Sequence, residues 1–147
     1  MAGPMTPARR ASFALASLVA ACLGVSCGRG SVARVDEGRR VASSFLDEVR
    51  AGRTEPAWKG TTVEFKSLMG ADALRDLARN QPALKGTAEY VDSRPIDSGH
   101  LNLVEYRFRG APTPPRKPSK SPPAPKTIRV LVSFEEDPPK VERLAVD

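Results

Sequence analysis

The segment Thr127-Ile128-Arg129-Val130-Leu131-Val132-Ser133-Phe134-Glu135 places Ile128, Val130, Val132 and Phe134 on one side and Thr127, Arg129 and Ser133 on the other. A period of two over this length predicts a β-strand with one face in a core. His100 to Arg109 repeats the pattern, with Val104, Tyr106 and Phe108 alternating against Glu105, Arg107 and Arg109. Weaker strands are expected on either side of this pair. Thr87 to Arg94 comes first, followed by a turn at Ile96-Asp97-Ser98-Gly99. Lys140 to Val146 comes last, after a break at Asp137-Pro138-Pro139.

Upstream of Gly86 the period is helical. Val41, Phe45 and Val49 recur at i, i+4 and i+8, widened by Ala42 and Leu46, with Arg39, Arg40, Asp47 and Glu48 opposite. This is an amphipathic helix that begins at Asp36 and stops at Gly52, behind a short tether at Ser31 to Arg34. Thr54 to Trp58 predicts a single turn, with proline tolerated at its start. Trp58 is expected to anchor the core. Thr61 followed by Glu64 has the spacing of a capping box, which would open a short helix over Val63 to Met69. Ala71 to Asn80 sets Leu74, Leu77 and Ala78 on one face, and Pro82 discourages its continuation. Helices followed by four consecutive strands call for an α+β fold, with the N-terminal helices packed on one face of a curved four-stranded antiparallel meander sheet.

The N-terminus has a different character. Met1 to Arg10 carries only Arg9 and Arg10 as charges, and Ala11 to Cys27 is seventeen residues with none. A basic head followed by an apolar stretch ending in small residues is the pattern of a secretory signal. Leu18-Val19-Ala20-Ala21-Cys22 resembles the lipobox of bacterial lipoproteins, and Leu23-Gly24-Val25-Ser26-Cys27 is a second, poorer match. The resemblance implies export, acylation of Cys22 (alternatively Cys27) and attachment to a membrane. The competing readings are an ordinary cleaved signal and an uncleaved anchor, for which seventeen residues falls short of the roughly 20 that span a bilayer. Residues 1–21 are therefore read as the signal, 22–35 as the lipidated tether and 36–147 as the domain. Neither cysteine is followed by aspartate, the residue that retains enteric lipoproteins in the inner membrane, and this points to the outer membrane. Both cysteines lie in this segment, so the domain has no disulfide framework.

Removing the signal leaves roughly 126 residues, enough for one small domain. The net charge of +6 does not mark a nucleic-acid binder. Arg9 and Arg10 account for two of these charges. Arg116, Lys117, Lys120 and Lys126 account for the other four, and the remainder is neutral. Those four lie in Ala111 to Lys126, an acid-free stretch holding seven of the fourteen prolines. It is read as an inserted loop, extended and solvated, between two strands. It could also work as a basic arm on anionic headgroups or cell-wall polymer.

The element order, with Val41-Ala42-Ser43-Ser44-Phe45-Leu46-Asp47-Glu48-Val49-Arg50-Ala51-Gly52, Ala57-Trp58 and Glu64-Phe65-Lys66-Ser67-Leu68-Met69, resembles the nuclear-transport-factor-two-like (cystatin-like) α+β superfamily. It is most similar to the small secreted domains and lipoproteins of that group. Two departures stand out: the last strand carries no aromatic residue, and the proline-rich stretch lengthens a hairpin that is normally short. The resemblance implies a cavity between helix and sheet that some members use for catalysis. In this chain the inward strand face offers Tyr106 and little else polar, with Tyr106 read either as a cavity donor or as a plain core residue. Asp92 lies in the weakest strand, where its facing is left open. No catalytic residue, cofactor or metal site is expected. His100 is the sole histidine, and Glu135-Glu136-Asp137 lacks the spaced ligands of a calcium loop. The functional expectation is a membrane-anchored envelope lipoprotein binding a protein partner or small ligand. The alternatives are a small cavity enzyme or apolar-ligand carrier, and surface attachment through the basic loop.

Overall fold

The computed structural model describes residues 27–112 and 124–147. Four helices precede four strands: α1 (Cys27–Arg50), α2 (Thr54–Lys59), α3 (Val63–Leu68), α4 (Ala71–Asn80), then a 3-10 turn (Pro82–Leu84), β1 (Thr87–Ser98), β2 (Leu101–Ala111), β3 (Lys126–Ser133) and β4 (Lys140–Val146). The strands form one antiparallel sheet in the order β1-β2-β3-β4, a meander. The helices pack against one face of it, so the α+β expectation holds.

α1 seats on the sheet through Gly38, Ala42, Phe45, Leu46 and Val49, all buried and spaced for one face of a helix. It begins earlier than the apolar stripe does: Ser31 to Arg34, read from sequence as tether, is helical. Gly52 ends α1 with φ +79°, and this left-handed residue lets Arg53 N–H return to the Glu48 carbonyl at 2.9 Å. α3 is capped by Thr62, whose side chain accepts from Phe65 N–H at 3.1 Å. The cap therefore falls one residue after the Thr61 expected from spacing. Thr61 is drawn back instead, its hydroxyl donating to the Trp58 carbonyl at 2.7 Å, while Thr62 N–H donates to Val141 of β4. Trp58 is half-buried at the rim of the core rather than at its centre, and its indole N–H ties α2 to the Met69 carbonyl at 2.8 Å.

The core side of the sheet is Tyr106 and Phe108 from β2, Ile128, Val130 and Val132 from β3, and Val141 and Leu144 from β4. Phe45 meets Phe65 edge-on at 5.8 Å between centroids, and Tyr90 meets Phe108 at 5.9 Å. Two bulges interrupt the alternation. In β1, Tyr90 pairs with Phe108 and Asp92 with Arg107, leaving Val91 extra and half exposed. In β4, Val141 pairs with Val132 and Arg143 with Leu131, leaving Glu142 extra. β1 also runs on past Arg94 through Pro95 to Ser98, a proline that an edge strand can accept. The hairpin turn is thereby reduced to Gly99 and His100.

Candidate functional site

Tyr106 is fully buried, and its hydroxyl donates to the Val35 carbonyl of α1 at 2.9 Å. Gly38, one turn further along α1, lies so close that a Cβ there would stand 2.2 Å from the Tyr106 hydroxyl and 2.6 Å from the Phe134 ring. Only a glycine lets the helix approach this closely. The phenol is a clamp between helix and sheet, with its one donor consumed. Burial pushes its pKa well above the ordinary tyrosine value, with Tyr90 and Asp36 adding to the rise. A catalytic donor facing a ligand would need that hydroxyl free, so the geometry favours the core role of the two expected for Tyr106.

The opposite face of the sheet carries a ladder of ion pairs. Arg94 Nε meets Glu105 Oε1 at 3.0 Å, and Arg129 approaches the same carboxylate at 3.8 Å while donating to Asp147 at 2.9 Å. Arg107 pairs with Asp92, and the guanidinium hydrogen bond holds that carboxyl below its usual range. Opposite charges on neighbouring strands support the register. This face is accounted for by strand pairing.

The other residues singled out from sequence are scattered. Cys22, Arg116, Lys117 and Lys120 lie outside the described residues. Cys27 is the first residue of α1. Lys126 opens β3 and reaches the Gln81 side chain at 3.4 Å. His100 sits exposed in the β1–β2 turn. Glu135 accepts from Asn102 N–H at 2.7 Å and Glu136 pairs with Lys140, so this acidic run is engaged in holding a loop. Among the described residues no group of histidine, cysteine, aspartate or glutamate could hold a metal, and no helix is long and apolar enough to cross a membrane.

One cleft gathers several cations that the sequence did not bring together. Between the C-terminal end of α1 and α4 lies a cleft of about 360 Å³. Val49, Ala78 and Leu84 give it an apolar floor, and Arg50, Arg75, Arg79 and Lys85 supply its charged rim, with no acidic residue in its lining. The helical pitch explains two of them: Arg75 and Arg79, four residues apart, project from one side of α4. The turn after Pro82–Leu84 adds Lys85, and α1 adds Arg50 from its last turn. The i, i+4 arginine pair on α4 was a visible signal. Nothing in the sequence said that Arg50 and Lys85 would join it.

Comparison of the chain with protein-family models, with curated proteins and with solved structures finds no match.

Proposed function

We propose that this chain is a membrane-anchored envelope lipoprotein whose domain, of nuclear-transport-factor-two-like type, is a non-catalytic module binding a protein partner or small ligand at its surface. The observation that carries the non-catalytic half is the Tyr106–Val35 hydrogen bond. It occupies the inward hydroxyl that the sequence singled out for cavity chemistry, and Phe134 and Gly38 close the space around it. The order of a long helix, three shorter helices and an antiparallel meander supports the fold resemblance.

The anchor rests on Leu18-Val19-Ala20-Ala21-Cys22, with Cys27 as the alternative acceptor. Acylation at Cys22 leaves Leu23 as the following residue and directs the protein to the outer membrane side of the envelope. The test is metabolic labelling of cells with a clickable fatty acid, comparing wild type with Cys22→Ser and Cys27→Ser. Loss of label in Cys22→Ser alone assigns the site, and loss in Cys27→Ser alone moves it. Label that survives both substitutions refutes the lipoprotein reading.

A further inference from the structure

We infer that the cleft rimmed by Arg50, Arg75, Arg79 and Lys85 binds a ligand bearing a phosphate group or a comparable multivalent oxyanion. The inference deepens the ligand-binding half of the reading above and is independent of the anchor.

Four cations around one concavity need a reason. Basic residues in the last turn of a helix interact favourably with its dipole, by about 0.3–1 kcal/mol each. That accounts for Arg50 at the end of α1 and Arg79 at the end of α4. It does not account for Arg75 in the middle of α4, nor for Lys85 beyond the 3-10 turn, yet both line the same cleft. The three arginines are only lightly committed elsewhere. Arg50 meets Asp47 at 3.4 Å and Arg75 meets Asp72 at 2.6 Å, both i, i+3 pairs whose acids are largely exposed. Such pairs contribute about 0–1 kcal/mol and exchange readily for a better anion. Arg79 makes no ion pair among the described residues.

The chemistry of the rim selects the ligand. A guanidinium offers parallel N–H donors that match two oxygens of one phosphate or carboxylate, and three arginines with a lysine match a group of charge two or more. The volume lies at the lower end of the roughly 300–1,000 Å³ of small-ligand sites. The apolar floor of Val49, Ala78 and Leu84 suits a ligand with a short carbon portion beside its anionic head.

The test titrates the full chain, held in a neutral detergent, with inorganic pyrophosphate at fixed ionic strength and follows heat by calorimetry. Saturable one-to-one binding is expected. Arg79→Ala should weaken it about tenfold, the loss typical of one charge-assisted hydrogen bond. Arg79→Lys should retain part of the affinity. Arg79 is exposed, and unchanged thermal melting confirms that the variants fold. Arg143→Ala removes an equal charge from the far face of the sheet, where the residue is exposed, and should leave binding unchanged.

Absence of saturable binding overturns the inference, as does equal weakening by Arg79→Ala and Arg143→Ala, which would mark diffuse attraction. A second arm uses phosphatidylcholine vesicles with and without phosphatidic acid. Phosphatidic-acid binding lost in Arg79→Ala assigns the phosphate to a lipid headgroup, whereas pyrophosphate binding without vesicle binding assigns it to a soluble ligand. Failure in calorimetry leaves the fatty-acid labelling result untouched, and the reverse also holds.

Discussion

Gly38→Ala tests the helix–sheet clamp directly, because two well-known effects oppose each other at this position. In an ordinary helix interior, alanine is more favourable than glycine by about 1 kcal/mol. Here the added methyl would stand 2.2 Å from the Tyr106 hydroxyl, 2.6 Å from Phe134 Cζ and 2.8 Å from Tyr106 Cζ. Neither ring can retreat cheaply, since Tyr106 is fully buried and Phe134 nearly so. Relief requires α1 to lift or Tyr106 to rotate. Overpacking of this kind costs about 1–3 kcal/mol, and release of the Tyr106–Val35 hydrogen bond adds about 0.5–1.5 kcal/mol. Subtracting the propensity gain leaves a destabilisation of about 2 kcal/mol, or roughly 10 °C in melting temperature for a domain of this size.

The measurement is urea unfolding followed by fluorescence of Trp58, the only tryptophan. A cycle with Tyr106→Phe sharpens it. Removing the hydroxyl removes the closest of the three contacts, so Gly38→Ala should cost less in that background and the two changes should be non-additive. If Gly38→Ala were as stable as wild type or more so, helix propensity alone would govern the site. The close seating of α1 on Tyr106 would then be wrong.

Tyr106 makes a further prediction through pH. Its folded pKa is raised above the ordinary value of about 10, so stability is unaffected below pH 10 and falls as pH rises beyond it. Tyr106→Phe should remove that alkaline loss in urea titrations at pH 9 to 11. Gly52→Ala places a Cβ at φ +79° and should destabilise by about 1–2 kcal/mol, measurable by thermal melting. Glu142, the bulged residue of β4, has its pKa raised first by burial and then by nearby Glu64. Its ionisation therefore disfavours the fold as pH rises through the carboxylate range. Glu142→Gln should gain up to about 0.5 kcal/mol at pH 7 and flatten the pH profile between 4 and 6.

The helix-then-meander order was legible because β2 and β3 each bury one face continuously, and a strict period of two survives in Val104, Tyr106, Phe108 and in Ile128, Val130, Val132. β1 was harder to read because the bulge at Val91 resets its alternation halfway, and Pro95 resembles a terminator until the strand is known to lie on an edge. The start of α1 was obscured because residues 27–34 contribute little to the apolar stripe, so periodicity had nothing to detect there. Gly38 shows the deeper limit. In sequence, a glycine within a helix only lowers propensity, and its use as a contact point exists only once Tyr106 is opposite. The cleft fails for the same reason, since Arg50, Arg75 and Lys85 are far apart along the chain and are gathered only by the turns at Gly52 and Pro82.

α1 also sets a distance between the N-terminal end of the described chain and the cation-rimmed cleft. Its 24 residues make a rod of about 36 Å, with Cys27 at the foot and Arg50 at the top. If the acyl chain sits on Cys22, as proposed, only Leu23-Gly24-Val25-Ser26 lie between it and the foot, a leash whose five steps reach at most about 18 Å. Under that proposal the foot of the rod would stand close to the headgroups, and the direction of α1 would decide where its other end lies. Upright, the cation-rimmed top faces the compartment beyond. Tipped over, it comes down to the lipid surface. Lengthening that four-residue leash would therefore change what the cleft can reach without changing one of its contacts.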